Sequence, residues 1–133
     1  MSGTETITGD GWAVGSIEGM GEGPGFRKVR KALTVTAFGV NAVVMPPGYA
    51  SGRHRHERQE ELYFVHRGTI EFAFGEGARQ VLGPGGFARV DPATVRSFRN
   101  LSDTDDAVYV CVGGAGGYVG RDGILPEHET SAR

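Results

Sequence analysis

The sequence predicts an all-β fold, a sandwich or closed barrel, and three observations carry that prediction. Short apolar runs recur about every ten residues, turn-forming residues bound each run, and almost no segment shows the 3.6-residue period of an amphipathic helix. Glycine supplies the turns: 23 of 133 residues, about 17% against an average near 7%. Because the glycines interrupt apolar runs instead of forming a simple repeat, they read as turn and bulge positions and not as linker.

Taken in order, residues 1–25 are polar and glycine-rich, offer Trp12, Val14, Ile17 and Met20 as apolar contacts, and are expected to form a loose or docked arm. The β domain covers 26–113. Its runs are KALTVTAFGVNAVVM (31–45), ELYFVHRGTIEFAFG (61–75), RQVL (79–82), FARV (87–90), VRSFRNL (95–101) and AVYVCVG (107–113). The turn signals PPGYASG (46–52), GEG (75–77) and GPGG (83–86) separate several of them. Ile70, Phe72 and Phe74 share the inward face of a half-buried strand, and Thr69, Glu71 and Ala73 share the other. ELYFV is apolar on both faces, which predicts cover on each side, from a second sheet or a second subunit. Residues 114–133 return to turn composition and are expected to be a partly disordered tail.

Composition narrows the function. Fourteen Lys plus Arg against sixteen Asp plus Glu give a net charge of -2, without the basic excess of a nucleic-acid binder. No run approaches the roughly 18 apolar residues of a membrane helix, so a soluble chain is expected. The first residues show neither the basic nor the apolar region of a secretory signal, which predicts a cytoplasmic location. A single cysteine, Cys111, excludes an intramolecular disulfide and any multi-cysteine zinc site. GGAGGYVG is followed by too few residues for a βαβ dinucleotide site, and no P-loop, GxSxG or paired CxxC occurs.

The segment RHRHERQEELYF (53–64) carries the chemistry. In an extended strand His54 and His56 lie on one face, with Arg53 and Arg55 on the other. Glu61 opens an apolar strand, where an uncompensated carboxylate is costly to bury. Two imidazoles and a carboxylate suit a divalent iron, manganese, nickel, zinc or copper ion and can leave coordination positions open. Taken alone, RHRHER is more simply a solvated basic loop. However, Gly48, His54, His56, Glu61 and Gly68 fit GxxxxxHxHxxxxExxxxxxG at every fixed position, and this pattern resembles the first motif of the cupin superfamily. The resemblance spans roughly 33–113. It implies a small jelly-roll β-barrel whose cavity the motif lines, commonly a homodimer, and among cupins the chain looks like the small bacterial single-domain kind.

The second cupin motif, GxxxxxPxGxxHxxxN, is met in part. Gly85 and Asn100 match, whereas Asp91, Ala93 and Arg96 replace its proline, glycine and histidine. Arginine has no lone pair to offer a cation, so Arg96 removes one ligand from the family's set. By strand parity Arg96 faces inward with Phe98. Three arrangements are open: pairing with Glu61 in a metal-free site, turning aside from a three-ligand metal, or binding an anionic substrate beside it. At about 5 Å a guanidinium and a dication repel by roughly 6 to 7 kcal/mol at an effective dielectric near 20, which weakens metal binding unless an anion intervenes.

Two readings follow. In the first, His54, His56 and Glu61 hold a divalent metal, and Arg96, Tyr63 and Gln59 contact a small, anionic ligand, as in an oxygenase or isomerase acting on a carboxylate or enol. In the second, the barrel is a non-catalytic small-molecule-binding module with a metal-free Arg96–Glu61 pair. Cys111 reads as a small core residue, and His66 and His128 as bystanders. Tyr63 serves equally well as barrel packing. Arg27, Lys28, Arg30 and Lys31 read as charges that protect a strand edge.

Overall fold

Alternation along the strands sets which side chains meet inside. In the computed structural model, which describes residues 5–125 and 130–131, a five-stranded antiparallel sheet has the order β3 (Gly25–Arg27), β4 (Gly39–Met45), β11 (Ala107–Gly114), β6 (Glu60–Arg67), β9 (Phe87–Val90). A three-stranded sheet has the order β10 (Arg96–Asn100), β7 (Ile70–Phe74), β8 (Ala78–Leu82). The inward residues of the two sheets, among them Val43, Met45, Tyr63, Val65, Tyr109, Ile70, Phe72 and Phe98, form one buried core. This is a jelly-roll barrel, and apart from β3 the strands of these two sheets fall on the apolar runs read from the sequence.

Five smaller strands accompany it among the described residues. β1 (Ile7–Gly9) and β2 (Trp12–Val14) make an exposed hairpin at the start of the chain. β5 (Arg55–His56) pairs with β12 (Gly123–Leu125), which pairs in turn with β13 (Thr130–Ser131). Part of the expected tail is therefore strand; its residues 126–129, with His128, lie outside the described residues.

Two other expectations are corrected. The run 31–45 is not strand throughout: Val29–Leu33 is a short helix (α1), and Thr34 ends it in the left-handed conformation (φ 57°). Arg27 is not a solvated edge charge. It is buried, with Nε donating to Ile17 O at 3.2 Å and Nη2 to Gly23 O at 2.6 Å, so it fastens the preceding segment to the sheet.

The turn between β6 and β7 needs a glycine. Gly68 has φ +83°, and a Cβ there would sit 2.8 Å from Ala107 Cβ. Both constraints exclude a side chain.

Among the described residues, the outward face of strand β6 is only partly covered. Its inward Glu61, Tyr63 and Val65 are buried, but the outward Leu62 is 41% exposed, and Phe64 packs at 4.9 Å between ring centroids on Phe87, itself 62% exposed. Beside this patch Arg89 donates to Asp91 and to Glu60 (3.0 Å); the Asp91 bond, then the Glu60 bond, hold its guanidinium above the ordinary arginine pKa.

Candidate metal centre

Backbone pairing brings the two histidines to the carboxylate. A turn at Pro46–Gly48 sends the chain back along β10, and His54 N donates to Arg96 O at 3.0 Å while Arg96 N donates to His54 O at 2.8 Å. One step on, His56 N donates to Pro92 O at 2.8 Å. The period-2 alternation then points both imidazoles into the barrel, where His54 and His56 are buried and Arg53 stays half exposed. From the opposite sheet, Glu61 on β6 reaches the same point. One donor atom from each of His54, His56 and Glu61 lies within 4.8 Å of the others. Glu61 Oε1 stands 3.0 Å from His56 Nε2 and 3.9 Å from His54 Nε2.

Glu61 is 2% exposed, so its charge must be compensated locally. Tyr63 OH donates to Oε1, Gln59 Nε2 donates to Oε2 at 2.8 Å, and Cys111 Sγ donates to Oε2 at 3.2 Å. A carboxylate offers about four acceptor sites. Tyr63, Gln59 and Cys111 fill three of them, and Oε1 is the oxygen nearest the imidazoles. Tyr63 and Gln59 thus orient the carboxylate.

Arg96 is 0% exposed and sits beside this group. Its Nη1 donates to Pro92 O (3.2 Å) and Thr94 O (2.9 Å), its Nη2 to Asp91 O (3.4 Å), and Nη2 lies 3.7 Å from Glu61 Oε1. Three carbonyls of the 91–94 turn therefore hold the guanidinium, which remains close enough to offset the Glu61 charge. It lines neither of the two cavities that flank the histidines.

Two residues here escaped the sequence reading. Cys111 belongs to the core as expected but also touches Glu61. Asp122, in the expected tail, is buried; its Oδ2 accepts from Arg58 N (2.9 Å) and Gln59 N (2.7 Å) and lies 3.7 Å from His56 Nδ1. It pins the turn between the histidines and Glu61 and faces the rear nitrogen of His56. We expect Asp122→Ala to cost about 1–3 kcal/mol for two orphaned N–H groups. It should also weaken metal binding, because the turn that sets His56 against Glu61 loses its anchor. Urea unfolding and competition with a chromogenic chelator read the two effects. Outside the cluster, His66 is exposed, in keeping with its reading as a bystander.

The donor set fits a divalent ion. His56 is buried, yet neither ring nitrogen makes a hydrogen bond, although Nε2 lies 3.0 Å from Glu61 Oε1. A buried imidazole left so is unusual. Two neutral imidazoles and one carboxylate suit first-row transition ions.

The comparisons agree with this architecture. A family profile described as Cupin domain matches residues 41–113. No curated protein matches the sequence. Among solved structures, the chain is similar to a cupin protein from Bacteroides fragilis, with 22% identity over 72% of this chain and 79% of that one and a TM-score of 0.62. It also resembles an uncharacterized conserved protein with a double-stranded beta-helix domain from Klebsiella pneumoniae (24% identity, 60% of this chain, 69% of that one, TM-score 0.56). A DMSP lyase from Ruegeria pomeroyi aligns at 22% identity over 67% of this chain and only 43% of its own, with a TM-score of 0.58. At these identities the structures speak for the fold alone. The family profile spans more than half of the chain and includes both histidines, Glu61 and Arg96, so this chain belongs to the cupin family.

Proposed function

We propose that the protein binds one divalent transition-metal ion through His54, His56 and Glu61 and uses it to transform a small anionic substrate. The observation that carries this reading is the buried His56, whose ring nitrogens make no hydrogen bond although Nε2 stands 3.0 Å from the Glu61 carboxylate. Arg96 supports the choice of an anion. It neutralises Glu61, so a bound dication keeps nearly its full charge and favours a negatively charged ligand. When bound, the metal would supply Lewis-acid polarisation of a substrate oxygen or activation of dioxygen, which suits an oxygenase or an isomerase acting on a carboxylate or enol. Tyr63 and Gln59 hold the Glu61 carboxylate in place, and the buried surroundings keep bulk water from the three donors.

A second reading has one specific observation in its favour. Arg96 lies 3.7 Å from Glu61 and has the place of a further ligand, which suits a metal-free barrel that only captures a small molecule. Elemental analysis of protein purified from metal-replete medium separates the two. The metal reading requires near-stoichiometric metal that resists dialysis; metal-free protein that takes up none on titration would leave the binding module.

We further propose a homodimer, formed by a second copy covering the outward face of β6 and β9. The exposed Leu62 and Phe87 support it, since large apolar side chains clustered on one face favour burial. Phe87→Glu should convert dimer to monomer in sedimentation-velocity runs. A wild type that is monomeric at micromolar concentration would refute the assembly.

A further inference from the structure

The metal-ligand cluster stands between two unlike cavities. One, of about 130 Å³, is lined by polar groups that include His56, Gln59, Glu61 and Asp122. The other, of about 170 Å³, lies on the His54 side, with walls of Phe26, Val43, Met45, Tyr49, Phe98 and Leu125. Among the described residues no Asp, Glu, Lys or Arg side chain lines this second space; His54, Ser51, Tyr49 and Tyr109 are its polar side chains. Its size is informative, because an apolar cavity of about 150 Å³ is known to hold benzene. The space therefore has room for one ring, or a branched chain of similar bulk.

Its walls also differ in origin. Val43, Met45, Tyr49 and Phe98 belong to the stretch 41–113 that matches the family profile. Phe26, on β3 opposite Val43, and Leu125, on β12, come from segments outside it. Phe26 and Tyr49, each 46% exposed, flank this space. Below them Phe98 meets the His54 ring edge to face at 5.9 Å and Tyr109 at 5.0 Å, so an entering ring finds aromatic edges down to the first metal ligand.

We infer that this cavity takes the uncharged, ring-sized body of the substrate, with the anionic head at the His54–His56–Glu61 cluster, and that Phe26, Tyr49 and Leu125 set this preference. The assignment of the head rests on the metal reading above. The substrate class is thus a small acid or enolate carrying one aromatic ring or an equivalent branched group.

Phenylpyruvate and pyruvate form a matched pair of probes, sharing a chelating anionic head and differing by one ring. Binding to zinc-loaded protein is followed by methyl NMR, read at Val43, Met45 and Leu125. The inference predicts that phenylpyruvate binds at least tenfold more tightly than pyruvate and shifts these methyls. In the Phe26→Ala, Tyr49→Ala double variant that ratio should collapse while zinc and pyruvate affinities hold. Equal affinities for the two acids, or shifts confined to the polar cavity at Val119, would overturn it. If the protein takes up no zinc, the metal reading fails on its own, and phenol then decides for the cavity. Shifts at Val43 and Met45 would keep the ring site; their absence would overturn that too.

Discussion

Alanine at His54 or at His56 should bring the metal content of the purified protein from about one ion per chain to near zero, with the β-sheet circular dichroism unchanged. The expected loss of affinity exceeds the roughly 10–100-fold that follows removal of a supporting partner, because a donor atom itself is lost from a set of three. Inductively coupled plasma mass spectrometry and calorimetric titration measure both quantities. The fold should survive. The two imidazoles contribute little of the apolar core, which is built from Phe72, Phe98, Tyr63 and their neighbours. A variant that keeps stoichiometric metal would show that the ion binds elsewhere.

The second large effect concerns Arg96, where two substitutions should move stability and metal affinity apart. Arg96→Met removes a fully buried cation, strands the carbonyls of Asp91, Pro92 and Thr94, and leaves Glu61 without its counter-charge. Breaking a buried pair from one side costs about 3–5 kcal/mol, so the thermal midpoint of the metal-free protein should fall by roughly 10 °C or more. Arg96→His instead removes the repulsion on a dication and adds a lone pair at the same place, so metal affinity should rise at least tenfold. Calorimetry on both proteins checks the pair. An Arg96→Met midpoint equal to wild type would mean that solvent already screens the guanidinium.

These effects also mark where the sequence was readable. The five fixed residues from Gly48 to Gly68 and the alternation of His54 with His56 identify the cluster locally, because strand parity converts spacing directly into facing. Glu61 is legible for a related reason: a carboxylate opening an apolar strand needs compensation wherever the strand lies. Asp122 was not legible. It reaches His56 only because β12 lies against β5, a pairing between distant segments that no local pattern encodes, and its surroundings in sequence have turn composition. Cys111 was half legible. Its apolar run marked it as a core residue, but the register that sets it opposite Tyr63, beside Glu61, belongs to the assembled sheet. The helix at Val29–Leu33 spans little more than one turn, too short for a helical period to show against the apolar run that follows. Arg96 shows a further limit. Its inward direction followed from Phe98, whereas its three carbonyl partners depend on how the 91–94 turn curls back over it.

X-ray absorption spectroscopy at the edge of the co-purifying ion tests the central claim most directly. The account predicts a first shell of nitrogen and oxygen, outer-shell scattering from two imidazoles, and no sulfur. A sulfur shell, which would place the ion on Cys111, or a shell of oxygen alone without imidazole scattering, would contradict it.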